Sequence, residues 1–510
     1  MEPGDDLLGR ILRAPVYDVA IETPLDPAPL LSARLGHRVS LKREDLQPVF
    51  SFKLRGAYNR LVSLSGDERK AGAVAASAGN HAQGVALAAR RLGIDARIVM
   101  PRTTPAIKVE AVRRLGGETI LTGDTYDDAA GVARRIGEEE GRVFVHPYDD
   151  LDVIAGQGTI GLEIVRQHEG PPDAIFVPVG GGGLAAGVAA YVKRISPETR
   201  VIGVEPEDAA CLAAALEAGR PVDLDSVGLF ADGVAVRRVG EQPFSILLDR
   251  IDEVVTVDVD EICAAIRDVF QETRSIAEPA GALSVAGLKR WVAREGGRGA
   301  SLVAIDSGAN MNFDRLRHVA ERAEIGEHRE ALFAVTIPER PGAFNALCSA
   351  LGSHSVTEFN YRYGAADAAH VFVGVGLSGA ASDRERVLET LRRAGFGVVD
   401  MTGNELAKLH VRFMVGGRAR RSGERLFRFE FPERPGALAR FLDAIGGRWN
   451  ISLFHYRNHG AAYGRVLVGL EVPSRESDAL DERLEALGYV WVEETGNPAV
   501  SLFLGNESGE

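Results

Sequence analysis

Between about residues 38 and 310 the chain alternates short β-branched runs with longer amphipathic ones, and that rhythm leaves few folds open. The spacing predicts strands at 39–42, 71–77, 96–100, 143–147, 174–179, 201–205 and 301–305. Between them it predicts helices at 81–92, 107–115, 125–140, 158–167 and 184–194. Such alternation produces an α/β architecture, with parallel sheets covered by helices on both faces. Ligands in these sheets sit beyond the carboxyl ends of the strands, so the loops leaving strands are where chemistry is expected.

After Asn310 the texture changes. A charged helical stretch, 312–330, reads as a connector, and beyond it lies an internal repeat. Pro338-Glu339-Arg340-Pro341-Gly342-Ala343-Phe344 returns as Pro432-Glu433-Arg434-Pro435-Gly436-Ala437-Leu438. Phe359-Asn360-Tyr361-Arg362 returns as Phe454-His455-Tyr456-Arg457. The offset is 432 − 338 = 94 at the start and 456 − 361 = 95 at the tyrosine. Each copy runs strand, Pro-Gly turn, helix, strand and strand (371–377 and 466–472), which fits a small ferredoxin-like α+β unit. The expected domains are therefore 1–311, 331–402 and 425–497. From pattern alone, the lesser reading of the pair is a duplicated structural module for oligomerisation.

Composition narrows the partners. Lysine and arginine total 59 against 72 acidic residues, so the net charge is 59 − 72 = −13, unsuited to nucleic acid or an anionic membrane. Cys211, Cys263 and Cys348 are too few and too scattered for a disulfide framework, which points to a reducing cytoplasm. The opening Met1-Glu2-Pro3-Gly4-Asp5-Asp6 has no cationic segment of the signal-peptide kind. Residues 174–192 carry no charge, yet Pro178 and the four glycines after Val179 make them a strand, loop and helix rather than a membrane span.

Four segments carry candidate chemistry. The first is Ser51-Phe52-Lys53-Leu54-Arg55-Gly56, where a lysine among apolar neighbours opens a helix. Desolvation and the positive end of the helix dipole both lower its amine pKa, as a Schiff-base lysine requires. The second, Ser77-Ala78-Gly79-Asn80-His81, joins a strand to a helix whose first amides can hold a carboxylate. Here Asn80 is a ligand or only a cap, and His81 a site residue or only core. The third, Val179-Gly180-Gly181-Gly182-Gly183-Leu184, leaves its amides bare, a nest for phosphate. Gly180, Gly182 and Ala185 also match a dinucleotide fingerprint, with Glu205 lying 205 − 185 = 20 residues further on. The fourth, Asp306-Ser307-Gly308-Ala309-Asn310, follows a strand and is a site or a plain turn.

Taken together and in this order, the four segments resemble the fold-type II pyridoxal-phosphate enzymes, whose catalytic region is built of two parallel-sheet subdomains. With two C-terminal modules added, the chain is similar to the biosynthetic threonine dehydratases over nearly its whole length. The resemblance implies that Lys53 joins pyridoxal 5′-phosphate covalently. Gly180, Gly181, Gly182, Gly183 and the Leu184 amide would hold the phosphate, Asn80 would donate to the ring oxygen O3′, Phe52 would pack beside the ring and Ser307 would face the pyridine nitrogen. Ser77, Ala78, Gly79, Asn80 and His81 would hold the carboxylate of L-threonine or L-serine. A dinucleotide would leave Lys53, Asn80 and Ser307 without a role.

Two departures matter. Serine racemases of the family have a proton-transferring serine where this chain has Ala78, so racemisation is not expected. Metal-dependent relatives follow their glutamate with an aspartate six positions on, where Glu205 is followed by Cys211. A divalent-metal site is in doubt and a monovalent-cation site stays open. The repeats resemble the ACT-like regulatory domains of these dehydratases. Phe344, Phe359, Tyr361, Leu438 and Tyr456 are the residues they offer to isoleucine and valine as effectors, and family likeness implies a homotetramer. A general serine/threonine dehydratase and a catalytically inert amino-acid sensor are the competing readings.

Overall fold

A computed structural model describes residues 3–338, 346–347, 350–352, 354, 356–361, 368–413, 424–432, 449–457 and 463–504. The chain divides into two compact units, Met1–Ala323 and Glu324–Glu510.

The first unit holds two sheets. The larger runs in the order Leu25–Pro27, Arg38–Arg43, Ser301–Asp306, Ala174–Pro178, Arg200–Pro206 and Glu253–Val257. All neighbours are parallel except the first pair. The smaller sheet is wholly parallel, in the order Glu118–Leu121, Ala96–Met100, Ala73–Ala76 and Val143–Phe144. Side chains alternate across a strand, so one strand feeds two cores. Phe176, Leu302 and Ala304 pack on one face of the larger sheet, and Ile175, Val177, Val303 and Ile305 on the other. Both faces are apolar, which accounts for the near-continuous hydrophobic runs in these strands.

Among the differences from the sequence expectation, two bear on the site. The strand expected at 143–147 stops at Phe144, and residues 145–149 turn across the site instead. The helix expected from 158 begins at Leu151, where Asp150 caps it by accepting from the Asp152 and Val153 amides. Gly156 and Gly158 lower intrinsic helicity and masked its first turns. They serve close packing: a Cβ on Gly158 would fall 3.0 Å from Gly187 O in the helix Gly183–Ile195.

The second unit contains two four-stranded antiparallel sheets of the same order. One runs Val356–Tyr361, Ala368–Gly376, Glu330–Pro338 and Gly397–Asp400; the other runs Asn450–Arg457, Tyr463–Glu471, Glu424–Pro432 and Val490–Glu493. Their register shifts fall between Val356 and Glu358 and between Ile451 and Leu453, offset by 451 − 356 = 95. Leu332, Ala334 and Phe372 of the first copy share a core with Leu426 and Leu467 of the second. Of the proposed effector residues, Phe359, Tyr361 and Tyr456 lie on these strands. Phe344 and Leu438 lie outside the described residues.

Candidate active site

Lys53 is the first residue of the helix Lys53–Val62, and the backbone before it is pinned to the end of a distant strand. Ser51 forms an isolated antiparallel bridge with Gly308, and the Phe52 amide donates to Ser307 O at 3.3 Å. Phe50, with φ +54°, occupies the left-handed region that non-glycine residues avoid, and its carbonyl accepts from the Ala309 amide at 2.9 Å. Lys53 Nζ lies 5.1 Å from the Phe52 ring centre and donates to Pro147 O at 3.3 Å. Burial lowers its amine to about 8, against the opposing pull of the Glu278 carboxylate.

The tetraglycine bend leaves the strand Ala174–Pro178 and enters the helix Gly183–Ile195. It has no room for side chains. A Cβ on Gly180 would come within 2.9 Å of Val234 Cα, and one on Gly181 within 2.2 Å of the Tyr148 ring. Gly182 has φ +92°, which glycine adopts without strain. The bend lies at the positive end of a 13-residue helix, a place that suits an anion.

Asn80 opens the helix Asn80–Leu92 after the turn at Gly79, whose amide donates to Ser77 Oγ at 3.2 Å. Its Nδ2 donates to Glu278 Oε1 at 2.5 Å, and its Oδ1 accepts from Asn310 Nδ2 at 2.8 Å. Burial raises the Glu278 carboxyl to about 7; Asp232 adds to the rise and Lys108 opposes it. His81 points inward: Nε2 donates to Val145 O at 2.9 Å, and Nδ1 is buried without a partner. Burial, with Lys53 nearby, pushes its pKa down to about 3, so the ring is neutral. Ser307 is buried, with its hydroxyl donating to Ala280 O at 3.2 Å.

Glu205, the acid of the dinucleotide pattern, is used elsewhere. It is fully buried and caps the helix Cys211–Ala218 by accepting from the Leu212 amide at 2.7 Å and the Ala213 amide at 2.9 Å. Among the described residues no cluster of three or more His, Cys, Asp or Glu is arranged to hold a metal ion. Behind the Lys53 helix lies a fully buried charge network. Arg55 bridges Glu44 at 2.8 Å and Glu163 at 2.5 Å, and Lys42 meets Glu163 at 2.6 Å.

Comparison with known proteins decides the family. Residues 16–308 match the model of pyridoxal-phosphate dependent enzymes, and 321–411 and 415–504 match the C-terminal regulatory domain of threonine dehydratase. The chain is 58% identical to a biosynthetic L-threonine dehydratase of Burkholderia multivorans, covering 98% of this chain and 99% of that one. It is 53% identical to the biosynthetic L-threonine dehydratase of Escherichia coli, covering 98% and 97%. The chain belongs to the biosynthetic threonine dehydratases. The structure of a processed threonine deaminase isoform from Solanum lycopersicum superposes with a TM-score of 0.62 at 52% identity, covering 63% of this chain and 93% of that one.

Threonine dehydratases belong to the pyridoxal-phosphate enzymes, and the residues of this site suit that cofactor. A glycine bend too tightly packed for any Cβ, at a helix N-terminus, suits a phosphate, and a buried lysine with a depressed amine pKa suits an aldehyde. Lys53, Phe52, Asn80 and Ser307 converge in this dehydratase, while His81 turns away into the core. Sequence reading missed Glu278, the loop around Asp232 and the Pro147–Tyr148 turn. In Ala277-Glu278-Pro279-Ala280 the one local signal was an acid before a proline at a helix start.

Proposed function

We propose that this chain is an L-threonine ammonia-lyase that converts L-threonine to 2-oxobutanoate and ammonia, the committed step toward isoleucine, with isoleucine as its feedback inhibitor. The observation that carries the reading is the depressed Lys53 amine held beside Phe52, Ser307 and Pro147 O.

The amides of Gly180, Gly181, Gly182, Gly183 and Leu184 would hold the phosphate of pyridoxal 5′-phosphate, Asn80 would donate to O3′, Phe52 would pack on the ring and Ser307 would face its nitrogen. The bound cofactor supplies an electron sink for the bond broken at the substrate α-carbon. Amides at the start of the Asn80 helix, with Ser77, Ala78 and Gly79, would hold the substrate carboxylate. His81 supports that turn from below through Val145 O. Lys53 Nζ, its pKa lowered to about 8 so that the neutral fraction near physiological pH far exceeds that of an ordinary lysine, would take the α-proton as general base. Ser307 carries a hydroxyl rather than a carboxylate, which favours prompt loss of the β-hydroxyl over transamination. Ala78 cannot return a proton on the second face, which supports elimination over racemisation.

Isoleucine and valine would act at the repeated modules through Phe344, Phe359, Tyr361, Leu438 and Tyr456. L-Serine is a second substrate on this reading, and the working form is a cytoplasmic homotetramer with the domain limits given above. No helix among the described residues is long and apolar enough to cross a membrane. The deciding assay is 2-oxobutanoate release from L-threonine with and without isoleucine. Lys53→Ala should abolish both turnover and the visible cofactor band. Turnover that survives this change would overturn the assignment.

A further inference from the structure

The helix Arg315–Gly326 leads from the last strand of the catalytic unit toward Glu330–Pro338, the first strand of the second unit. Its opening turns are fastened to the catalytic unit. Arg315 donates to Phe230 O and Asp232 Oδ1, both at 3.2 Å, and to Leu229 O at 3.4 Å. His318 packs on the Phe230 ring at 5.3 Å, and Arg322 pairs with Asp260. Val319 and Ala323 are buried in the core beside the larger sheet.

The second oxygen of Asp232 takes a different partner. Lys108, on the helix Ala106–Arg114 beside the smaller sheet, reaches Oδ2 at 2.7 Å. One carboxylate therefore joins the connector helix to the helix Ala106–Arg114 beside the smaller sheet. The two cations it separates are largely covered, with side chains 13% and 8% exposed for Lys108 and Arg315, while Asp232 itself is 36% exposed. Largely buried cations need a compensating charge, and without one they repel. Both cations also act on the Glu278 carboxyl, drawing it down against its burial.

The next two residues reach the site itself. A Cβ on Gly233 would meet Ala280 Cβ at 2.8 Å and Glu278 Oε1 at 3.5 Å, and would lie 4.0 Å from Asn80 Nδ2. Val234 Cα abuts Gly180 of the glycine bend. In succession, Asp232 forms the bridging clamp between Lys108 and Arg315, Gly233 faces the Asn80–Glu278 pair and Val234 packs on the bend.

We propose that Asp232 is a positioning residue that holds the two sheets closed over the site and makes closure depend on how the Arg315 helix is seated. The inference rests on the threonine reading above, which wild-type turnover tests separately. In the full-length holoenzyme, Asp232→Asn should raise KM for L-threonine by about fivefold or more, leave kcat within about twofold, and speed hydrogen exchange of the 106–114 amides. Asp232→Glu should restore both readouts. Arg315→Met should weaken isoleucine inhibition, because one end of the clamp no longer follows the connector. A wild-type KM and exchange pattern in Asp232→Asn would overturn the proposal, as would a defect confined to kcat or an Asp232→Glu no better than Asp232→Asn. An unchanged isoleucine response in Arg315→Met would overturn it too, and that variant decides alone if Asp232→Asn does not fold.

Discussion

Asn310 donates its side-chain amide to Asn80 Oδ1 at 2.8 Å, while Asn80 Nδ2 donates to Glu278 Oε1 at 2.5 Å. The two partners fix which way the Asn80 amide faces, because Asn310 can meet an oxygen only by donating. One N–H of Asn80 is left to point elsewhere, as an anchor for a ring oxygen requires. Both partners come from segments more than one strand away in sequence, so the orientation is a tertiary product.

Glu278 gives a pH signature in stability. Its carboxyl is raised from 4.5 to about 7 by burial, so the folded state holds the proton more tightly than the unfolded chain. Its contribution is full below pH 4.5 and is lost as pH climbs through about 7. Glu278→Gln keeps an acceptor for Asn80 and has no such loss. Its melting temperature should gain on wild type between pH 4.5 and 7 and hold that lead above. A constant difference across this range would refute the shift.

Lys53 makes a kinetic prediction on the cofactor-free protein. Only a neutral amine attacks an aldehyde, and this one is lowered from 10.5 to about 8. Stopped-flow capture of pyridoxal phosphate should slow about tenfold per pH unit below the pKa and level off above it. An ordinary lysine would keep accelerating toward pH 10.5. Glu278→Gln removes a charge that raises the amine pKa, so the midpoint should move to lower pH.

Gly181→Ala places a methyl 2.2 Å from the Tyr148 ring. Overpacking of this kind costs about 1–3 kcal/mol, so cofactor affinity should fall by roughly tenfold or more in equilibrium dialysis. Relieving the clash with Tyr148→Ala should recover part of the loss. Unchanged affinity in the single variant would mean that the ring swings aside freely.

Arg55 is fully buried between Glu44 and Glu163. Arg55→Met leaves Glu44 without its guanidinium and Glu163 with Lys42 as its remaining cation beside the Tyr17 hydroxyl. Breaking a buried pair on one side costs about 3–5 kcal/mol, which a lowered urea midpoint would register. Arg55→Lys keeps the charge without the bidentate fork and should fall between the two.

What could be read in the sequence was what is local. The glycine bend, the helix-opening lysine and the strand ends at Ser77 and Ser307 each announce themselves within a few residues, because tight turns and bare amides demand particular side chains. The duplication was legible for the same reason. Glu278, Asp232 and Tyr148 were not, since each acquires meaning only from a partner brought near by folding. The helix start at Leu151 was obscured by glycines whose service is to a neighbouring helix, something no propensity records.

The matched irregularities in the two antiparallel sheets carry a consequence for effector choice. Each module's strand shifts register at an equivalent residue, so Phe359-Asn360-Tyr361 and Phe454-His455-Tyr456 stand at corresponding ladder positions. Across those triplets the copies diverge at a single place, Asn360 against His455. On the proposed effector reading, exchanging Asn360 and His455 is the swap expected to trade one module's preference for the other's.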